Sequence, residues 1–382
     1  MNNSRTKNVI KNFSKEPIDF MLLAVVFIML ALGIIMVLSA SSPTSLAETG
    51  SSYDYVKTQA LSAVLGIIAM FIVSKIDYRI FKKFDKLIYI AVIILLASVA
   101  VIGSADGGAK RWINLGFISF QPSEIAKIGL IIFFASLLTK NKERLEEMRG
   151  GFFYPLMYLL PVIAILVGVQ NHLSATILII LIVAVMMLMA GSKLRYFLTF
   201  GTAGAALGGT ALILYAKLTG KGLFRITRLI TFLDPFADIQ GSGWQVVQSL
   251  YAIGSGGLFG VGLGNSTQKY LYIPEAHNDF IFSIIAEELG FIGCVFVIVL
   301  FVLFIWRGIL IAIKAPDMFG SLVASGITTM VGLQAIINIA VVTSSMPNTG
   351  MPLPFFSYGG TSLLILMVSV GILLNISRAS KR

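Results

Sequence analysis

Several ionisable residues of this 382-residue chain stand inside or at the end of long apolar runs: Glu124, Lys127, Asp279, Glu287 and Glu288. A charge kept in hydrocarbon is expensive, so such residues mark substrate paths, proton transfer or buried pairs. Asp279 lies in PEAHNDF (274–280), where a long polar segment enters an apolar run. A carboxylate at the mouth of a cavity can take a proton as a general base. It can equally be an acidic residue favoured at a helix N-terminus. Glu124 and Lys127 are three apart and share one helix face, as site groups or as a mutually neutralising pair. Glu287 and Glu288 follow Asp279 by roughly 12–14 Å of helix. They are placed to floor a cavity, or one of them to pair with Lys127.

A second group is basic: Lys110, Arg111, Lys217, Lys221, Arg225, Arg228 and Lys269. Arg225 and Arg228 share a face if their run is helical. Such residues bind phosphates well, on a substrate or on anionic lipid headgroups. Trp112 beside Arg111 suits an interfacial belt or a sugar ring. His172 and His277 are the two histidines, without a second His or Cys at ligand spacing, which argues against zinc. A hard divalent cation, Mg2+ or Mn2+, held by carboxylates and phosphates stays open. Gln334 and Asn338, four apart, read as interhelical hydrogen-bond glue.

The elements that must carry these residues follow from composition. Hydrophobic residues make up 57% of the chain and charged ones 12%, and mean hydropathy is +0.90. No soluble core hides that much apolar surface. One cysteine, Cys294, excludes a disulfide scaffold. Long apolar runs rather than alternation exclude a β-barrel. The reading is an all-α polytopic membrane protein. Ten stretches are long enough to span, starting near Phe20, Thr58, Leu87, Gln121, Phe152, Leu173, Tyr196, Asp279, Met318 and Ser357. Of the 29 Lys and Arg, 20 fall in 1–19, 75–86, 139–150, 191–195, 307–317 and 378–382. Those segments are therefore cytoplasmic, with both termini among them. Topology thus accounts for the net charge of +11 without nucleic acid. The first apolar run is too long for a cleavable signal peptide.

The chain reads as one integral-membrane domain, 1–382, with a cytoplasmic tail at 1–19. One long extracytoplasmic loop, 218–278, joins spans seven and eight. It holds two candidate interfacial helices, 225–233 and 244–253, and a glycine-rich stretch over 254–264, read as flexible or closely packed. Loops this long are usually functional. Loops 103–120 and 344–356 share its face.

Four motifs in order resemble one family. They are GGAKRWINLG (107–116) with QPSEIAK (121–127), RITRLITFLDP (225–235), WQVVQSLYAIGSGGLFGVGLG through PEAHNDFIFSIIAEELGFIG (244–293), and MPNTGMPLPFFSYGGTSLL (346–364). The family is SEDS (shape, elongation, division and sporulation), and the resemblance runs from the first span to the last. It implies a ten-span peptidoglycan glycosyltransferase of the bacterial cytoplasmic membrane that polymerises lipid II, with a class B penicillin-binding protein as partner. It places the family's essential aspartate on Asp279, its tryptophan on Trp112, and its intramembrane Glu and Lys on Glu124 and Lys127. Lys110, Arg111, Arg225 and Arg228 then become candidate pyrophosphate ligands, and Glu275, His277, Asn278 and Glu287 candidate substrate contacts. Two departures stand out. Asn278 replaces the usual Thr before the aspartate, and QNHLSAT (170–176) replaces a QPDLGT-type motif, with His172 in place of a carboxylate. His172 and PEAH are more similar to the FtsW/SpoVE branch than to RodA. A lipid II flippase and a non-catalytic scaffold for a penicillin-binding protein are the competing readings.

Overall fold

The computed structural model describes residues 18–106, 109–114, 116, 119–219, 231–239, 241, 243–270 and 272–380. Twelve α-helices are present among them. The bundle opens with α1 (Phe20–Thr49), α2 (Asp54–Val73), the short α3 (Arg79–Lys83) and α4 (Asp85–Ile102). It continues with α5 (Pro122–Lys140), α6 (Tyr154–Gly168), α7 (Leu173–Ala190) and α8 (Leu194–Thr219). After α9 (Trp244–Gly256) come α10 (Ile281–Lys314), α11 (Met318–Val342) and α12 (Gly360–Ala379). Nine helices among the described residues are long and apolar enough to cross a membrane. The protein is a multi-pass membrane protein. The 26-residue α8 stands where the sequence predicts the seventh span.

Local chemistry sets the ends. Asp19 caps α1 by accepting from the Leu22 N–H at 2.9 Å, and Gly50 ends it in the left-handed region. Asp317 caps α11 through the Gly320 N–H at 2.8 Å. Pro122 sits in the first turn of α5, where no N–H is needed. Helices α5 and α11 are apolar almost all round, and both lie in the centre of the bundle, as such helices must. Helix α12 packs on α2 at close range. A Cβ at Gly66 would come within 2.9 Å of Met367, and one at Gly371 within 2.6 Å of the Met70 carbonyl. Small residues permit that approach where no hydrophobic force drives helices together.

Polar contacts sort the connections into two faces. On one, Arg307 pairs with Asp19, whose N–H bonds Ser377 Oγ at 3.2 Å. Tyr78 and Arg79 hold Asp317, Asn375 bonds the backbone at Ser74 and Tyr78, and Lys140 pairs with Asp85. These are segments the sequence assigns to the basic side. The start of α1 and the end of α12 thus meet. On the other face, loops 103–120 and 344–356 gather with the approach to α10.

Two features depart from an all-helical reading. Loop 103–120 folds into an antiparallel sheet of β1 (Gly103–Asp106), β2 (Ala109–Asn114) and β3 (Ser119–Phe120), in that order. Ser104 pairs with Trp112 but Ala105 with Lys110, so Arg111 is the extra residue of a bulge. The second feature is a break in α10 at Gly290, where φ is +68°. The N–H groups of Phe291 and Ile292 donate to the carbonyls of Gly257 and Leu258, at 2.9 and 3.2 Å, and not to Glu287 and Glu288. The freed Glu287 and Glu288 carbonyls accept from Val261 and Gly262, at 2.9 and 3.1 Å. The glycine-rich stretch is therefore packed into the break through residues 257–262. Its predecessor α9 packs one face into the bundle. It buries Val246, Val247 and Ala252, and Ser249 Oγ bonds the Val342 carbonyl and Ser283 Oγ.

Candidate active site

A cavity of about 840 Å³ opens between β2, the 350–352 segment and the approach to α10 and runs into the bundle, within the usual range for ligand sites. Arg111 and Trp112 of β2, Glu275, Asn278 and Asp279 before α10, and Gly350 to Pro352 form one part of its wall. Glu124 and Lys127 of α5 and Gln334 of α11 form another. Leu61 and Leu65 of α2, Leu178 of α7 and Leu364 of α12 make an apolar side. Leu61 and Leu65 are also exposed on the outside of the bundle. A polar head and an apolar tail can thus share this space.

Asp279 is half-buried and stands two residues before α10. The peptide that carries it is fixed at three consecutive carbonyls. The Tyr358 N–H donates to the His277 carbonyl at 2.9 Å, Ser357 Oγ to that of Asn278 at 2.6 Å, and Asn338 Nδ2 to that of Asp279 at 2.7 Å. Asn338 also donates to the Met351 carbonyl at 2.7 Å. Gln59 of α2 holds the Ser357 carbonyl and the Gly359 N–H from behind. Asn278 Nδ2 donates to Glu275 Oε2 at 2.5 Å, so Asn at the usual Thr position still hydrogen-bonds.

Lys127 is buried, and its Nζ lies 2.7 Å from Glu124 Oε1. The i, i+3 spacing thus makes a real pair, and both members face the cavity. Arg111 donates through Nη2 to the Asn171 carbonyl at 2.9 Å. Being the bulged residue, it shares the cavity side with its neighbour Trp112; regular alternation would send the two to opposite faces. His172, next along the corner that Arg111 grips, also lines the cavity. Burial, with Arg111 and Lys127 nearby, pushes its imidazole down to about 3. It is therefore neutral there, a hydrogen-bonding group where the family motif has a carboxylate.

Other expected site residues stand elsewhere. Glu287 is buried away from the cavity. It accepts from Ser266 Oγ at 2.5 Å and from the Thr267 N–H and hydroxyl at 2.9 Å each. Glu288 pairs with Lys269 at 2.9 Å and accepts from Ser39 Oγ of α1 at 2.6 Å. Neither glutamate pairs with Lys127 or floors the cavity; both fasten the glycine-rich loop to α10. His277 is 3% exposed and packs edge-on against Tyr55, with Tyr358 beside it. Burial holds its imidazole below the usual range. It supports the wall from behind. Lys110 is exposed and off the cavity wall, because the bulge turns Arg111 inward in its place. Arg225 and Arg228 lie outside the described residues. Conversely, Gln121, Ser119, His172 and Tyr358 line the cavity without having been singled out as site residues. The motifs 121–127 and 346–364 already contained two of them, Gln121 and Tyr358.

No group of three or more His, Cys, Asp or Glu side chains gathers as a metal cage among the described residues. Asp279 and Glu275 share one wall. That donor set suits a hard cation bound by one or two carboxylates and completed by substrate phosphates.

Residues 19–382 match the profile of the FtsW, RodA and SpoVE family, described as cell cycle proteins. The chain is 40% identical to stage V sporulation protein E of Bacillus subtilis (strain 168) over 369 residues, covering 96% of this chain and 99% of that one. It is 40% identical over 364 residues to a probable peptidoglycan glycosyltransferase FtsW of Geobacter sp. (strain M18), covering 95% and 97%. A chain in the solved structure of a peptidoglycan synthase complex, which coordinates polymerization and crosslinking, superposes with TM-score 0.80 at 30% identity, covering 96% and 99%. With a family match over nearly its whole length and relatives among FtsW and SpoVE proteins, the chain belongs to the FtsW/RodA/SpoVE family of cell cycle proteins, the SEDS family.

Proposed function

We propose that this protein joins lipid II units into glycan strands on the outer face of the bacterial cytoplasmic membrane, with Asp279 as general base. Its class of activity is peptidoglycan glycosyltransfer, the activity named for its FtsW relatives. The observation that carries the detailed reading is the cavity itself. It brings Asp279, the Glu124–Lys127 pair, Arg111 and Trp112 onto one polar surface with an apolar side between helices. A sugar–pyrophosphate head on a prenyl tail has that same division.

In the reaction, the 4-hydroxyl of the acceptor GlcNAc attacks the anomeric carbon of the donor MurNAc. The new C–O bond forms with inversion as the bond to pyrophosphate breaks. Asp279 takes the hydroxyl proton, a contribution of about 10²–10⁴-fold. Arg111 and Lys127 face the charge that collects on the leaving pyrophosphate. Trp112 offers a flat surface to a sugar ring. A divalent cation, if bound, would be held by Asp279 or Glu275 and would neutralise phosphate charge.

The topology that goes with this reading has ten spans, with α8 as the seventh, and both termini in the cytoplasm. The contact of Asp19 with Ser377 and the gathering of Lys and Arg on that face support it. A class B penicillin-binding protein is the expected partner, by analogy with the polymerization and crosslinking coordinated in the related synthase complex. The test is gel analysis of products from purified protein, partner and lipid II, beside the Asp279→Asn variant. Strands from the parent and none from the variant are expected. Equal strands from both would remove Asp279 from the role. Headgroup translocation in proteoliposomes without any strands would favour the flippase reading.

A further inference from the structure

We infer that Asn338 and Ser357 are positioning residues that aim the Asp279 carboxylate into the cavity; this rests on Asp279 being the base proposed above. Asp279 precedes α10, and helix hydrogen bonding does not fix its carbonyl. The nearest helical donor, the Ser283 N–H, is spent on the Phe280 carbonyl at 3.0 Å. The Asp279 carbonyl is held instead by one arm of the Asn338 amide, whose other arm holds the Met351 carbonyl, each at 2.7 Å. The Asn338 NH2 group has the two N–H donors that these two acceptors require. One buried side chain on the central helix α11 thereby locks the approach to α10 against the 348–353 segment. Asn338 is 1% exposed and absent from the cavity wall, so it acts through Asp279 rather than on substrate.

Ser357 repeats the device one residue earlier. Its hydroxyl donates to the Asn278 carbonyl at 2.6 Å and accepts from the Leu353 N–H at 2.7 Å. The two side chains thus fix the carbonyls of the peptide units on either side of the Asp279 Cα. With the Asp279 backbone pinned on both sides, few rotamers separate its carboxylate from the cavity. A misplacement of about 1 Å is enough to cost on the order of 10²-fold in rate.

The experiment uses the full-length protein with its partner and lipid II, measuring kcat and KM for Asn338→Leu, Ser357→Ala, Ser357→Thr and Asp279→Ala. The expected result is a 10- to 100-fold fall in kcat for Asn338→Leu and Ser357→Ala, with KM within threefold of the parent. Ser357→Thr, which keeps the hydroxyl, should return to within threefold of the parent kcat. Unchanged kcat in Ser357→Ala, a rise in KM alone, or a Ser357→Thr as slow as Ser357→Ala would each overturn the inference. If Asn338→Leu does not fold, the Ser357 pair decides. An inactive Asp279→Ala beside fully active Asn338→Leu and Ser357→Ala overturns positioning alone. A fully active Asp279→Ala overturns the underlying assignment of the base.

Discussion

A Cβ at Gly350 would lie 3.1 Å from Oδ2 of Asp279, and Gly350 holds its backbone in the left-handed region at φ +65°. The carboxylate is thus seated directly on a residue that has no side chain. Gly350→Ala is expected to cost about 1–2 kcal/mol in backbone strain and to press on the carboxylate. Polymerisation should fall at least tenfold in the gel assay, with the protein still folded by thermal unfolding.

Asp279→Asn should remove the base while keeping its shape. The expected loss is about 10²–10⁴-fold in kcat. Lipid II affinity, read by equilibrium binding, should change by less than threefold.

Lys269 and Glu288 form a buried pair, 4% and 0% exposed, with Ser39 completing it. Breaking such a pair leaves an uncompensated charge and costs about 3–5 kcal/mol. Lys269→Met should therefore lower the unfolding midpoint sharply. Adding Glu288→Leu should recover part of that loss, because the stranded carboxylate is gone.

His172 gives a pH signature. Its imidazole is pushed from an ordinary value of 6.5 down to about 3. Between those values the unfolded chain takes up a proton that the folded chain refuses, so stability falls as pH falls below 6.5. His172→Gln has no such group. The unfolding midpoint of the variant should gain on the parent as pH drops from 8 to 5, measured by thermal unfolding in detergent. Equal midpoint shifts in both proteins would show that His172 is not held neutral.

Much of the candidate site's geometry was legible because it rests on local spacing. Glu124 and Lys127, three apart on a helix, had to be neighbours, and they are paired on the cavity wall. Asp279 stood at a polarity boundary, which is where a cavity mouth forms in a bundle. The starts of α1, α7 and α11 at Phe20, Leu173 and Met318 followed from hydropathy alone. What local pattern could not carry is partner choice across the bundle. Glu287 reads as a cavity group by depth, but the hydroxyl and N–H groups of 266–268 reach it through a loop whose path hydropathy does not encode. Gly290 looks like any glycine in a membrane helix. Its role emerges only when Gly260 and Leu258 are seen against it. The sheet of 103–120 escaped because its strands are short and lack clear alternation, and the bulge that turns Arg111 inward is a matter of register.

The exchanged backbone bonds at Gly290 have a further consequence for how this protein can vary. Residues 257 to 262 and 287 to 292 are matched one against one by four hydrogen bonds between separate parts of the chain. Adding or deleting a single residue on either side would slip every match at once and leave peptide groups unsatisfied beside the membrane. The stretch from Gly257 to Gly262 therefore has a fixed length.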